Sequence, residues 1–367
     1  MSAVDEKAVL KALEAVKDPD LHKDIVSLGF VKDLAIEGGK VSFTIDLTTP
    51  ACPVKEQMEA QAREVVAALR GVESVDVTMS ASVRTSAGPG LGQGEPMAPG
   101  VKNIVLVGSG KGGVGKSTIA VNLAAGLGHL GARVGLLDAD VYGPSIPTML
   151  GIHGERPTTK DGRHLEPIEA FGVKTMSIGY LVEPDQAMVW RGPMLNQAVV
   201  QFLRDVNWGE LDYLIVDLPP GTGDVQLTIA QQVSAAGCVL VTTPQDVALA
   251  DVVRAKGMLD KVRIPVLGIV ENMSYFVCPH CGEETDIFDR GGGKRAAERL
   301  AVPFLGEVPI QPKIREGGDA GRPIVVEDPE GAESRALLEV AKQVAHRVSV
   351  QAVEGGAAAT PTLRMAP

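Results

Sequence analysis

Two short stretches of this chain hold residue types in chemically demanding patterns. The first, GSGKGGVGKST from Gly108 to Thr118, sets glycines, two lysines and a Ser-Thr pair behind an apolar run. The second, YFVCPHCGEE from Tyr275 to Glu284, brings Cys278 and Cys281 into a C-x-x-C spacing in a chain of 4 cysteines. The first pattern is phosphate chemistry. Gly110, Gly115, Lys116 and Ser117 satisfy G-x-x-x-x-G-K-[ST] between a predicted strand at 103–107 and a predicted helix at 117–130. Glycines let backbone N–H groups converge on phosphate oxygens without Cβ clashes. Lys116 is then expected to reach the β- and γ-phosphates, and the Ser117 hydroxyl to ligate Mg²⁺. The helix N-terminus adds its dipole. Gly110, Gly112, Gly113, Val114, Gly115, Lys116, Ser117 and Thr118 form the candidate nucleotide-binding set.

Carboxylates stand at the ends of two other apolar runs. LLDAD ends in Asp138 and Asp140, and LIVD ends in Asp217. An aspartate closing an apolar strand beside a phosphate loop is the usual partner of Mg²⁺, which suits Asp217. Capping the next helix is the competing role for any strand-end aspartate.

The cysteines divide by context. Cys238 opens the apolar run CVLVTT and reads as a small buried hydrophobe. Cys52 precedes Pro53 and a predicted helix, whose dipole lowers a thiol's pKa. A reactive or metal-associated thiol and a cysteine without a role both fit there. Cys278 and Cys281 admit three readings. A redox pair needs a thioredoxin-like setting with the first cysteine opening a helix, and GEETDIFDRGGGK reads instead as loop or short strands. A zinc knuckle fits locally but supplies two of four ligands, with His280 awkwardly spaced as a third. In the third, two copies of the pair meet across a dimer axis and supply four thiolates, which suit an iron–sulfur cluster or zinc.

These groups need a scaffold, and the patterning supplies one in pieces. Residues 1–84 read as a small α+β domain in the order α-β-β-α-β, with a hairpin at Gly38-Gly39 and a second helix from 53 to 69. Residues 85–100 are rich in Gly and Pro and read as a linker. From 101 to 350, apolar runs such as NIVLVGS, RVGLLDAD, YLIVDLPP, CVLVTTP and PVLGIVENM alternate with helical stretches. That is the pattern of a mostly parallel α/β sheet covered by helices on both faces. Residues 351–367 read as a disordered tail.

Bulk properties exclude some functions. A net charge of −11 with no Lys/Arg run argues against a nucleic-acid partner. No apolar run approaches a membrane span, and the N-terminus has no signal core. Four scattered cysteines suit reduced thiols and a cytoplasmic location.

The motifs SGKGGVGKST, LLDADVYGPSIP, WRGPM, VDLPPGTGD, TTPQDVALADV, GIVENMSYFVCPHCGEE and FLGEVPI together resemble the Mrp/ApbC family of iron–sulfur cluster carrier ATPases, over roughly residues 101–348. DPDLHKDIVSLGFV and TTPACP resemble the small iron–sulfur-assembly domain fused to bacterial members. A cluster-related role for Cys52 rests on that second likeness alone. K-G-G-x-G-K-S-T is similar to the deviant Walker A loop of the MinD/ParA/nitrogenase-iron-protein class. The likeness implies that Lys111 crosses a dimer interface to the partner's nucleotide, that Asp140 orients the attacking water, and that Asp138 supports the magnesium shell. It also implies that Asn272 reads the adenine edge and that VPIQP closes over the base. The family further implies a homodimer bridging a labile 4Fe–4S cluster through Cys278 and Cys281, ATP hydrolysis linked to its handling, and apo-protein acceptors and assembly scaffolds as partners. The rival readings are a ParA/MinD-type positioning ATPase and a P-loop ATPase with structural zinc. A membrane-seeking helix or basic surface, which the first requires, is not apparent in the sequence.

Overall fold

The computed structural model describes residues 4–358 except 20, 22, 53, 87–96, 142, 182–191, 224–225, 228 and 230–231. The chain divides into two compact units, Met1–Arg84 and Thr85–Pro367.

The first unit runs α1 (Glu6–Leu13), β1 (Val31–Glu37), β2 (Lys40–Leu47), α2 (Lys55–Ala67) and β3 (Ser74–Ala81). The β1–β2 hairpin turns through Gly38 at φ +63°, a conformation that glycine adopts without Cβ strain. β2 is central, antiparallel to β1 and parallel to β3. It buries Val41, Phe43, Ile45 and Leu47, every second residue, against Met58, Ala62 and Val66 at four-residue spacing on α2. Those two periods are the ones that place a strand face and a helix face opposite each other. α2 starts at Lys55, two residues later than the pattern suggests, with Val54 as N-cap. Pro53 lies outside the described residues.

The second unit is built on an eight-stranded sheet. Its elements begin with β4 (Val101–Ser109), α3 (Lys116–His129), β5 (Val134–Asp138), α4 (Ile146–Met149), β6 (Ile168–Ala170), β7 (Val173–Ser177), α5 (Gly192–Asp205) and β8 (Leu211–Asp217). They continue with β9 (Gly237–Thr242), α6 (Asp246–Lys261), β10 (Val266–Asn272), β11 (Phe276–Val277), β12 (Glu284–Thr285) and α7 (Gly292–Leu300). β13 (Phe304–Val308), α8 (Pro312–Asp319), α9 (Ile324–Glu327) and α10 (Ala332–Ala358) follow. The strand order is β13-β10-β9-β4-β8-β5-β7-β6, parallel except at β6–β7. β5, β8 and β9 are buried along their whole length, as strands with helices on both faces must be. α3 packs against α10, which also covers β13.

The order matters for function because β8 is inserted between β4 and β5. Val107 of β4 pairs with Asp217 of β8, and Asp217 pairs with Asp138 of β5. The phosphate loop and both aspartates therefore meet at the carboxyl ends of three adjacent interior strands, where ligands of open parallel sheets bind.

Two expectations for the irregular segments change. The glycine-rich stretch 85–100 is fastened at both ends. The Ser86 N–H and hydroxyl donate to Asn103 Oδ1 at 2.9 and 2.8 Å, and Ala98 is buried. Its middle, 87–96, lies outside the described residues. The stretch from 351, expected to be disordered, instead continues α10 to Ala358, while 359–367 lie outside the described residues. Once a packed helix exists, each further residue gains a hydrogen bond without a new nucleation cost, which offsets the roughly 1 kcal/mol penalty of each glycine at 355 and 356.

Candidate functional site

The loop from Gly110 to Gly115 leaves the end of β4 and enters α3. Gly113 and Gly115 both have φ of +79°, in the left-handed region. At Gly110 the constraint is space, since a Cβ there would lie 2.5 Å from the Asp251 backbone carbonyl carbon. Val114 is buried beneath the loop. Ser109, through its hydroxyl, donates to the Lys111 carbonyl at 2.9 Å and fixes the loop's first turn.

Lys116 is 5% exposed, so its charge must be compensated. Its Nζ donates to Asp217 Oδ1 at 2.6 Å, lies 3.2 Å from Ser117 Oγ and stands 3.7 Å from Asp140 Oδ2. The Ser117 hydroxyl donates to the other Asp217 oxygen at 2.6 Å. Asp217 is fully buried, and burial pushes its carboxyl up while Lys116 and the two hydrogen bonds pull it back. Ser117 and Asp217 thus present hard oxygen donors side by side, the donor set that Mg²⁺ takes.

Asp138 lies on the neighbouring strand, paired with Asp217. It is fully buried, and its oxygens accept the Asp140 N–H at 3.1 Å, the Ile146 N–H at 3.4 Å and the Ser177 hydroxyl at 3.0 Å. Burial, with the Asp217 charge on the adjacent strand adding to it, raises its carboxyl to about 8. Asp138 therefore ties down the backbone at Asp140 and at Ile146. Asp140 points back at Lys116, and burial raises its carboxyl, with Lys116 opposing. Ser177 was invisible as a site residue, because nothing local marks a serine at the end of β7.

A phosphate-sized cavity of about 280 Å³ is lined by Lys111, Gly113, Lys116, Ser117, Asp140 and Pro220, among others. Among the described residues, Lys111 makes no ion pair. A second cavity of about 1020 Å³ adjoins it through Thr118, Ser145 and Met149. Asn272 and the loop Pro309–Pro312 line this larger space, which has room for a nucleoside. Asn272 is buried, and its amide N–H donates to the Val114 carbonyl at 2.9 Å, so it also clamps the phosphate loop from the end of β10. Its neighbour Glu271 is buried and accepts from Ser274 Oγ at 2.5 Å, Gly291 N–H at 2.8 Å and Gly293 N–H. A carboxylate at the N-terminus of α7 is stabilised by those free N–H groups. An ionisable residue inside the otherwise apolar run GIVENM was the available signal that such a partner exists.

Cys278 and Cys281 sit at the tip of a hairpin formed by β11 and β12, with Phe276 opposite Thr285. The Cys278 N–H donates to the Glu283 carbonyl at 3.0 Å, and the Gly282 N–H to the Cys278 carbonyl at 2.9 Å. The Cys278 sulfur accepts backbone N–H bonds from Cys281 and His280 and a side-chain hydrogen bond from Cys281, which lower its pKa. That arrangement favours a thiolate on an exposed turn. Arg290 holds the hairpin down. It stacks 4.2 Å from the Tyr275 ring centroid and pairs with Glu284 at 2.7 Å and Glu307 at 2.8 Å. Among the described residues, no group of three or more His, Cys, Asp or Glu gathers as a metal site. Cys238 is buried, with its thiol pushed up to about 12 by desolvation. Cys52, in the other unit, is half-buried against that unit's own core, and its carbonyl accepts the Lys55 N–H at the start of α2.

Among the described residues, no helix is long and apolar enough to cross a membrane. Residues 6–78 match the family described as iron–sulfur cluster assembly protein. The chain is 52% identical over 344 residues to an iron–sulfur cluster carrier protein of Deinococcus radiodurans, covering 94% of this chain and 96% of that protein. It is 47% identical over 344 residues to the protein of the same description in Escherichia coli K12, covering 93% and 86%. Among solved structures, a nucleotide-binding protein of Archaeoglobus fulgidus in complex with ADP superimposes with a TM-score of 0.57 at 40% identity, covering 64% of this chain and 91% of that one. The cell-division ATPase MinD of Pyrococcus furiosus, at 23% identity, has a TM-score of 0.50 and shares the fold. Residues 100–345, which hold the phosphate loop, the three aspartates and the cysteine hairpin, match the family described as NUBPL iron-transfer P-loop NTPase, and the chain belongs to that family.

Proposed function

We propose that this protein is an ATP-dependent carrier that binds a labile 4Fe–4S cluster between two copies of the chain and delivers it to apo-proteins in the cytoplasm. The observation that carries the reading is the cysteine hairpin. Cys278 and Cys281 are two adjacent thiols, one with a lowered pKa, in the same unit as a complete phosphate loop. Two thiolates are half of a four-thiolate site, and a second copy supplies the other half. A cluster held by two thiolates from each side is exposed and divisible. Transfer is then ligand exchange, in which an acceptor thiol loses its proton and displaces Cys278 or Cys281, which takes a proton in turn.

ATP is the nucleotide substrate. Gly110, Gly112, Gly113, Val114, Gly115 and Thr118 cradle its phosphates, and Lys116 neutralises charge on the β- and γ-groups. Ser117 and Asp217 would hold Mg²⁺, which supplies charge neutralisation of the phosphates. Asp140 accepts a hydrogen bond from the attacking water and orients it in line with the γ-phosphorus. The water oxygen bonds to phosphorus as the bridging bond to ADP breaks, a water proton passes to a phosphate oxygen so that inorganic phosphate leaves, and Lys116 follows the charge onto ADP. Asp138 acts through Asp140 as its positioning residue. Lys111 reaches the partner's phosphates, and Asn272 faces the base. Scaffold proteins load the carrier, and Cys52 serves as an accessory thiol.

Anaerobic reconstitution with iron and sulfide tests the reading. The expected result is about four irons per dimer with a visible iron–sulfur absorption, both lost in Cys278→Ala/Cys281→Ala. Zinc bound at the pair, with iron never retained, would reduce the hairpin to a structural staple.

A further inference from the structure

The phosphate motif and the cysteine hairpin are far apart along the chain, yet the larger cavity borders the first at Thr118 and the second at Phe276. Thr118 and Asn272 line it on the phosphate side, and Phe276 and Ile287 line it from the segment that carries the cysteines. Phe276 belongs to the hairpin itself, two residues before Cys278. The loop after β13 spans the two sides. The Ile310 N–H donates to the Tyr275 carbonyl at 2.8 Å, and Gln311 Nε2 donates to the Val277 carbonyl at 2.8 Å, while both residues also line the cavity.

That second bond has a particular consequence. The Val277 carbonyl and the Cys278 N–H belong to one peptide group, and the Cys278 N–H donates onward to the Glu283 carbonyl. Gln311 therefore feeds a hydrogen-bonded chain through the peptide that carries Cys278, and such chains polarise cooperatively. Gln311 and Phe276 line the cavity together, so both would border a base seated there. We infer that Gln311 is a positioning residue that couples occupancy of the base pocket to the geometry of the Cys278/Cys281 hairpin. The inference rests on the nucleotide reading above and adds its route, which runs through the base pocket. Coupling of two sites is reciprocal, so loading the thiols shifts nucleotide affinity by the same factor.

The test uses the full, reduced chain without metal. Iodoacetamide alkylation of Cys278 is followed by peptide mass spectrometry with no ligand, with saturating ADP and with saturating pyrophosphate. Occupancy is set from dissociation constants measured by titration calorimetry on each protein. ADP is expected to slow Cys278 alkylation about fivefold, the low end of ordinary coupling. Pyrophosphate, which fills only the phosphate loop, leaves the rate unchanged. Gln311→Met, at its own saturating ADP, loses most of that protection, and Gln311→Glu, which sets a carboxylate against the Val277 carbonyl, does the same. Bound ADP with an unchanged Cys278 rate overturns the inference and leaves the nucleotide reading standing. Equal protection by pyrophosphate moves the coupling to the phosphate loop and overturns the base-pocket route. Undiminished protection in both Gln311 variants overturns the role of Gln311. Failure of ADP to bind at all overturns the nucleotide reading and the inference with it.

Discussion

Replacing Lys116 with methionine removes the one cation that pairs with Asp217 among the described residues, at 2.6 Å, and leaves a carboxyl of 0% exposure facing Asp140 and Asp138. Breaking a buried pair from one side costs roughly 3–5 kcal/mol. The neighbourhood sets its own ceiling, because Asp217 can escape by taking a proton. Neutralising a carboxyl with an unfolded pKa near 3.9 costs about 1.36 kcal/mol per pH unit above that value, so about 4 kcal/mol at pH 7 and about 1.5 at pH 5. The sign follows from linkage. In the variant the folded pKa of Asp217 lies above its unfolded value, so stability is retained below pH 4 and lost as pH rises towards the folded pKa. Urea unfolding of wild type, Lys116→Met and Lys116→Met/Asp217→Asn at pH 5, 6 and 7 measures this. Trp208 is buried in the second unit and residues 1–84 contain no tryptophan, so fluorescence reports unfolding of the second unit without the first. The deficit of the single variant is expected to shrink by about 1.4 kcal/mol per unit towards acid, and the double variant to recover most of it. A single variant within about 1 kcal/mol of wild type at pH 7, with an unchanged pH slope, would refute the assignment of Lys116 as the compensating charge.

Two further outcomes follow from the same geometry. Asp138, raised to about 8, binds its proton more tightly when folded, so it draws stability down as pH rises from about 4 to 8. Asp138→Asn is expected to flatten that part of the thermal-stability profile, and a variant whose slope matches wild type would contradict the buried, protonated carboxyl. Arg290→Met removes two ion pairs and a ring contact, together worth about 1–2 kcal/mol of hairpin anchoring. Hydrogen exchange at the Cys278 and Gly282 amides is expected to quicken about five- to tenfold with global unfolding unchanged, and equal exchange would show that the hairpin is held by other contacts.

The phosphate loop was legible in the sequence because its chemistry is local. Glycines, lysine and hydroxyl lie within eleven consecutive residues, and the flanking apolar run and helix pattern fix its setting. The alternation of apolar runs and helices likewise specified a parallel sheet, and the period-2 pattern of β2 specified the small domain's core. The cysteine pair was visible for the same reason. Strand order was not visible, because nothing in a buried Val/Ile/Leu run says which neighbour it takes. Only the insertion of β8 between β4 and β5 brings Asp217 to Lys116, 101 positions away, and stations Asp138 behind Asp140. The likeness implied that Asp138 supports the magnesium shell, and the fold adds that it is buried and accepts three hydrogen bonds, one of them from the Asp140 N–H. Asn272 meets Val114 across 158 residues, and Gln311 meets Val277 across 34. Hydrogen bonds of that span depend on how whole elements pack, and no residue pattern near either end records them. The kinds of chemistry were written in short motifs, and the packing of the sheet decided which of those groups touch.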